Sequence, residues 1–286
     1  MSDVRETFLQ SLNYEPDYFQ VKAMNSIDAD ASVLVAAPTG SGKTLIAEYA
    51  IARARSLGLR AFYTTPIKAL SNQKYSEFVA KFGEDRVGLL TGDTSINGEA
   101  EILVMTTEVL RNMLYAGSNT LTNLGCVVMD EVHYLADKFR GAVWEEVILH
   151  LPKDVKIVSL SATVSNAEEF GAWLDEVRGD TKVIVSEHRP VPLTQHVLFG
   201  SELMNLFEES QGSVRVNPEL AQKHAQKLRQ PVNRAGRGRS GYGGGQRNQA
   251  LIQKLSKPDI VEVLDENDML PAIFFIFSRA GCEAAV

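Results

Sequence analysis

Cysteine is nearly absent. The two in 286 residues, Cys126 and Cys282, stand far apart and form no C-x-x-C pair. That excludes a disulfide framework and a zinc ribbon, and each is expected to be a small buried apolar residue in a reducing compartment. An excess of positive charge is also missing. Twenty-nine Lys and Arg face 36 Asp and Glu, for a net −7, so coating nucleic acid through bulk charge is excluded, although a local basic patch is not. No apolar run approaches the ~18 residues of a bilayer span, and the polar start, Met1-Ser-Asp-Val-Arg-Glu6, has no apolar signal segment. The expectation is a soluble, cytoplasmic chain without a membrane partner. What remains is an ordinary globular mix, 44% hydrophobic and 23% charged, enough for a substantial core.

Between Ser32 and Val185, short apolar runs alternate with amphipathic stretches. Ser32–Ala37, Arg60–Thr64, Val87–Leu90, Ile102–Met105, Cys126–Met129, Ile157–Leu160 and Lys182–Val185 read as strands. Lys43–Leu57, Lys68–Phe82, Val109–Tyr115, Val143–Leu151 and Ala167–Leu174 read as helices. Near-continuous apolar strands separated by helices predict an α/β fold, with a parallel sheet covered on both faces. After Glu187 the texture changes. His188–Leu193 holds two prolines and reads as a connector, and Thr194–Phe199 reads as one more strand. Ala221–Gln249 has seven Lys or Arg, no acid and six of the chain's 21 glycines, the composition of a disordered insert. Ala250–Leu264 then reads as a helix, Ala272–Phe277 as an apolar strand, and Ser278–Val286 as the start of another helix.

Ala37-Pro-Thr-Gly-Ser-Gly-Lys-Thr44 follows a strand and opens a helix, the context of a phosphate-binding P-loop. Small residues Pro38, Thr39, Gly40, Ser41 and Gly42 let backbone N–H groups curl around phosphate oxygens. Lys43 is expected to reach the β- and γ-phosphates of ATP, and Thr44 to ligate Mg²⁺. The strict pattern has Gly where this chain has Ala37, which weakens a kinase or small-GTPase reading and leaves the Gly40–Thr44 cradle intact. A literal G-x-G-x-x-G at Gly236–Gly241 neither follows a strand nor opens a helix, so it carries no dinucleotide reading.

Cys126-Val-Val-Met-Asp-Glu-Val-His133 is an apolar strand ending in two acids and, one residue on, a histidine. Ligands gather at the shared C-terminal edge of a parallel sheet. Asp130 is therefore expected beside the metal held by Thr44, and Glu131 beside the attacking water. Adjacent acids at a strand end also suit a helix cap; the upstream P-loop favours catalysis. His133 is expected to contact the nucleotide, and the other histidines have no metal-ligand spacing.

With Ser161-Ala-Thr163, these segments resemble the superfamily-two DExH-box helicases, motors of two RecA-like domains. Thr65-Pro-Ile-Lys-Ala-Leu-Ser-Asn-Gln73 looks like the group's motif Ia, and Thr91-Gly-Asp93 with Met105–Arg111 looks like its Ib region. Asp130–Leu135 and Arg189–Leu193 are similar to the superkiller-type, exosome-associated RNA helicases, with the fullest match to their actinobacterial HelY branch. The resemblance covers about residues 5–210. It implies ATP- and Mg²⁺-dependent, 3′-to-5′ unwinding of RNA in processing or turnover, on single-stranded or 3′-overhang RNA, with RNA-degradation machinery as a partner. It also implies RNA contacts by Pro66, Lys68, Asn72, Gln73, Thr106, Thr107 and Arg111, coupling by Ser161 and Thr163, and an adenine contact by Gln20.

The expected organisation is a helical segment over 1–30, a first RecA-like ATP-binding domain over 31–186, a connector over 187–220, the basic insert over 221–249, and the truncated start of a second RecA-like domain over 250–286. The chain would then be an N-terminal fragment, inactive alone, because arginines of the second domain complete the ATP site. Two other readings stay open: a DNA-directed motor of the same superfamily, and an ATP-responsive RNA-binding scaffold. Arg234–Arg247 reads equally as an RNA-binding arm and as a linker.

Overall fold

The computed structural model describes residues 2–137, 140–163, 165–210, 213–229 and 255–285. Two units divide the chain near Val191. The first runs α1 (Ser2–Gln10), α2 (Tyr18–Asp28), β1 (Ser32–Ala36), α3 (Thr44–Ser56), β2 (Arg60–Thr65), α4 (Lys68–Phe82), β3 (Val87–Leu90), β4 (Ser95–Ile96), β5 (Ile102–Thr106), α5 (Thr107–Ala116), β6 (Leu124–Met129), α6 (Gly141–His150), β7 (Lys156–Ser161), α7 (Ala167–Arg178) and β8 (Thr181–Val185).

All seven strands expected from the apolar runs form one sheet, ordered β4-β3-β5-β2-β6-β7-β1-β8. Every pairing is parallel except the short β3–β4 edge. Side chains alternate across a strand, so neighbouring residues feed opposite layers. Val33, Val35 and Tyr63 pack with Phe19, Met24, Ile46, Tyr49 and Phe78, beneath α1–α4. Leu34 and Phe62 pack with Leu110, Trp144, Ile148 and Leu174, beneath α5–α7. β1 and β5 are buried along their whole length, which is why they read as unbroken apolar runs.

The second unit pairs β9 (His196–Phe199) with β10 (Glu202–Asn205) and β11 (Phe207–Ser210) with β12 (Ser213–Val216), both antiparallel. It continues with α8 (Pro218–Arg229), α9 (Lys257–Glu266) and α10 (Arg279–Glu283). Three expectations are corrected here. Ala221–Arg229, expected in a disordered insert, is helical, because Asn217 accepts from the Glu219 and Leu220 N–H groups and Pro218 suits the first helical turn. The rest of that insert, including Gly236–Gly241 and Arg234–Arg247, lies outside the described residues. Ala272–Phe277, expected as a strand, forms none and is unpaired among the described residues, with Ile273, Phe275 and Phe277 exposed; Cys282, expected to be buried, is exposed, whereas Cys126 is buried. A strand exists through its ladder, and no neighbour among the described residues supplies one. Among the described residues no helix is long and apolar enough to cross a membrane.

Candidate functional site

The sheet order brings the motifs into one row. Along the C-terminal edge, Thr106 ends β5 and α5 follows it, Pro66 and α4 follow β2, Asp130 and Glu131 follow β6, Ser161 ends β7 with Thr163 just beyond, and the P-loop follows β1. Segments scattered over more than a hundred residues thus become neighbours.

The P-loop turns on Gly40 and Gly42, at φ +83° and +80°, where a side chain would be strained. A Cβ on Gly42 would also meet Gln20 Nε2 at 2.7 Å. That amide donates to the Gly42 carbonyl at 2.9 Å, while Gln20 Oε1 accepts from Asp17 N at 2.8 Å. Gln20 is buried and braces the loop from α2, a role that the expected adenine contact did not include. The Lys43 ammonium donates to the Ala37 and Pro38 carbonyls at 2.7 and 2.9 Å. Burial lowers its pKa; Glu131 and Asp130 oppose that shift and Arg189 reinforces it. The Ser41 hydroxyl is buried without a protein partner. A cation folded on its own loop, an orphaned hydroxyl and a glycine cradle fit a polyphosphate.

Asp130 is pinned at both oxygens. Oδ1 accepts from Glu131 N at 2.9 Å, and Oδ2 accepts from the Tyr63 hydroxyl at 2.5 Å. Burial and the Asp130 carboxylate raise the Tyr63 phenol well above its ordinary range, so it remains a donor. Glu131 adopts the left-handed region at φ +53°, a costly conformation that concentrates at working sites. Burial and then Asp130 raise its carboxyl pKa, against the pull of His133 and Lys43. Glu131 Oε2 lies 3.3 Å from His133 Nδ1, but the two are misaligned, and each is left buried without a hydrogen bond. A partly buried acid, held near a cation and short of one donor, is suited to accept a proton.

Ser161 and Thr163 bond each other, with Ser161 Oγ donating to the Thr163 carbonyl at 3.0 Å and accepting from Thr163 N at 3.2 Å. Their hydroxyls bond each other across this turn instead of Asp130 or Glu131. A cavity of about 400 Å³ beside them is lined by His133, Glu145, Phe170 and Trp173 among others, but not by Lys43 or Asp130.

Further along the edge, Lys68 pairs with Asp93 at 2.6 Å, Gln73 donates to Glu77 at 2.8 Å, and Arg111 contacts Asn112 and Glu146. Asn72 is exposed on α4 beside Gln73, and the Pro66 carbonyl accepts from Arg140 at 3.4 Å. Thr106 is nearly buried as the α5 N-cap. Thr107 is wholly buried, its hydroxyl on the Thr65 carbonyl at 3.3 Å. Thr107 therefore serves the fold at the place where a surface contact was expected, since the first turn of α5 folds inward.

A model of the DEAD/DEAH box helicase family matches residues 17–170, more than half the chain. The chain belongs to that family. Among curated relatives, "Probable helicase HelY" of Mycobacterium leprae is 52% identical over 298 residues, covering 100% of this chain and 32% of that protein. "Exosome RNA helicase MTR4" of Homo sapiens is 42% identical over 271 residues, covering 94% of this chain and 25% of that protein. The solved structure of Mycobacterium smegmatis helicase Lhr bound to ssDNA and AMP-PNP aligns with a TM-score of 0.53 at 30% identity, over 65% of this chain and 28% of that one. The chain thus spans about a third or less of these helicases. The fold is the RecA-like helicase fold, as its motifs implied, and family membership implies ATP binding. Sequence reasoning missed two groups, Tyr63 on Asp130 and Lys74 beside Thr44. Within an apolar strand Tyr63 reads as core, and nothing in the local pattern marks its hydroxyl as useful.

Proposed function

We propose that this chain is the ATP-binding N-terminal part of an ATP-dependent RNA helicase. The carrying observation is the single sheet edge, with the P-loop and the Asp130–Glu131 pair at one end and the motif Ia and Ib residues at the other. Pro38–Thr44 would hold the phosphates, and Thr44 and Asp130 a Mg²⁺ ion. Among the described residues no three acidic, histidine or cysteine side chains converge on a metal. The ion supplies neutralising charge for the phosphoryl oxygens when bound. Lys43 would pair with the γ-phosphate and Glu131 take the proton of the attacking water; His133 would contact the nucleotide, Gln20 the adenine side of the same loop, and Ser161 and Thr163 would couple hydrolysis to movement.

Pro66, Lys68, Asn72, Gln73, Thr106 and Arg111 would grip the RNA backbone without reading bases, as a translocating motor requires. The human relative, an exosome RNA helicase, supports RNA as the track and RNA-degradation machinery as the setting. The 3′-to-5′ direction, the cytoplasmic location, and the arginines of a second RecA-like domain that complete the site are part of this proposal. A DNA-directed motor is the second reading, favoured by the ssDNA in the Lhr structure. ATP hydrolysis by the full-length helicase should rise several-fold more with single-stranded RNA than with DNA of the same sequence. Equal or greater stimulation by DNA would reverse the order of the two readings.

A further inference from the structure

Tyr63 lies outside every segment assigned a role above. Its ring is fully buried under α3 and α4 and meets Phe78 of α4 edge-on, with centroids 5.1 Å apart. The Lys74 ammonium, also from α4, stands 6.0 Å from the ring centroid. Phenylalanine would fill this space equally well. The hydroxyl instead emerges at the sheet's C-terminal edge and donates to Asp130 Oδ2 at 2.5 Å. Because Asp130 Oδ1 already accepts from the Glu131 amide, the second bond fixes the carboxylate's remaining rotation. A buried Tyr hydroxyl needs a partner; here the partner is the acid assigned to the metal.

Lys74 reaches the other side chain of that assignment. It is held by Glu77 at 2.6 Å and lies 3.5 Å from Thr44 Oγ1. Thus α4, whose exposed face carries Asn72 and Gln73, touches Asp130 through Phe78 and Tyr63, and Thr44 through Lys74.

We propose that Tyr63 is a positioning residue: its hydroxyl fixes the orientation of the Asp130 carboxylate, which would hold Mg²⁺ with bound nucleotide. The inference rests on the nucleotide reading above and adds a residue to it. Outer partners of metal ligands act in this way elsewhere, and their loss costs about 10–100-fold in metal affinity.

The test is binding of a fluorescent ATP analogue to the 286-residue chain, titrated with Mg²⁺, for wild type, Tyr63→Phe, Asp130→Asn and the double variant. Tyr63→Phe should raise the Mg²⁺ concentration for half-maximal binding about 10-fold, leave affinity in excess chelator unchanged, and add nothing further in the Asp130→Asn background. Phe78→Leu, which loosens the ring and keeps the hydroxyl, should shift the midpoint the same way by less, and serves if Tyr63→Phe does not fold. An unchanged Mg²⁺ midpoint in both variants, or a loss equal with and without Mg²⁺, would reduce Tyr63 to packing. Wild-type protein whose nucleotide binding ignored Mg²⁺ would overturn the metal-ligand assignment first and this inference with it.

Discussion

At the scale of single residues, the site stores unfavourable electrostatics where chemistry is expected. Glu131 is half-buried beside Asp130, and its folded-state pKa is raised. A raised carboxyl pKa means that the folded state binds the proton more tightly than the unfolded one. Stability contributed by that carboxyl is therefore full below its ordinary pKa and declines as pH climbs through the raised value. At neutral pH the ionised Glu131 costs stability. Glu131→Gln should raise the melting temperature of the nucleotide-free protein by about 1–3 °C at pH 7, and the gain should vanish below the ordinary carboxylate range. A melting temperature lowered at pH 7 would mean that His133 and Lys43 outweigh burial. Spacing and flanking strands mark Lys43, Thr44, Asp130 and Glu131 as candidates in the sequence, and the strand order brings their loops to one sheet edge. The Ser161–Thr163 bonding and the burial of Thr107 were not legible there, since a short polar side chain at a strand end can turn inward or outward and only packing decides.

At the scale of elements, the P-loop depends on a helix that precedes the sheet. Gln20 ties α2 to the loop through the Gly42 carbonyl, and its own oxygen caps α2 at Asp17. α1 is locked behind it by Phe8 against Tyr49 and by Arg5 on Asp28. If Gln20 acts through the loop, Gln20→Ala should weaken inorganic tripolyphosphate as well as ATP, each about 3–10-fold for one lost hydrogen bond at a buried site. Calorimetry on both ligands checks this, and loss confined to ATP would return Gln20 to the adenine alone. The strands and helices of the first unit were legible because buried parallel strands leave unbroken apolar runs. Ala272–Phe277 shows the limit of that signal. The run is as apolar as any strand, yet a ladder needs a neighbour, and periodicity in one segment cannot report whether one is present. α8 failed in the opposite direction: a basic composition shared with the glycine-rich stretch hid the Asn217 cap.

For the whole molecule, strand order does what no local pattern can. Placing β7 between β1 and β6 sets the P-loop, Ser161 and Asp130 side by side, and β2 and β5 extend the same edge toward Lys68 and Arg111. The sequence motifs named the residues, and the parallel topology explains why they need no proximity in the chain. The account stands or falls on whether that edge holds a nucleotide. Equilibrium titration of Mg-ATP into the 286-residue chain tests this most directly, with Lys43→Ala and Glu131→Gln alongside. The account predicts saturable wild-type binding, near-wild-type affinity for Glu131→Gln, and a loss of about 10-fold or more for Lys43→Ala, which removes the charge partner of the γ-phosphate. Lys43→Ala binding Mg-ATP as tightly as wild type would contradict it.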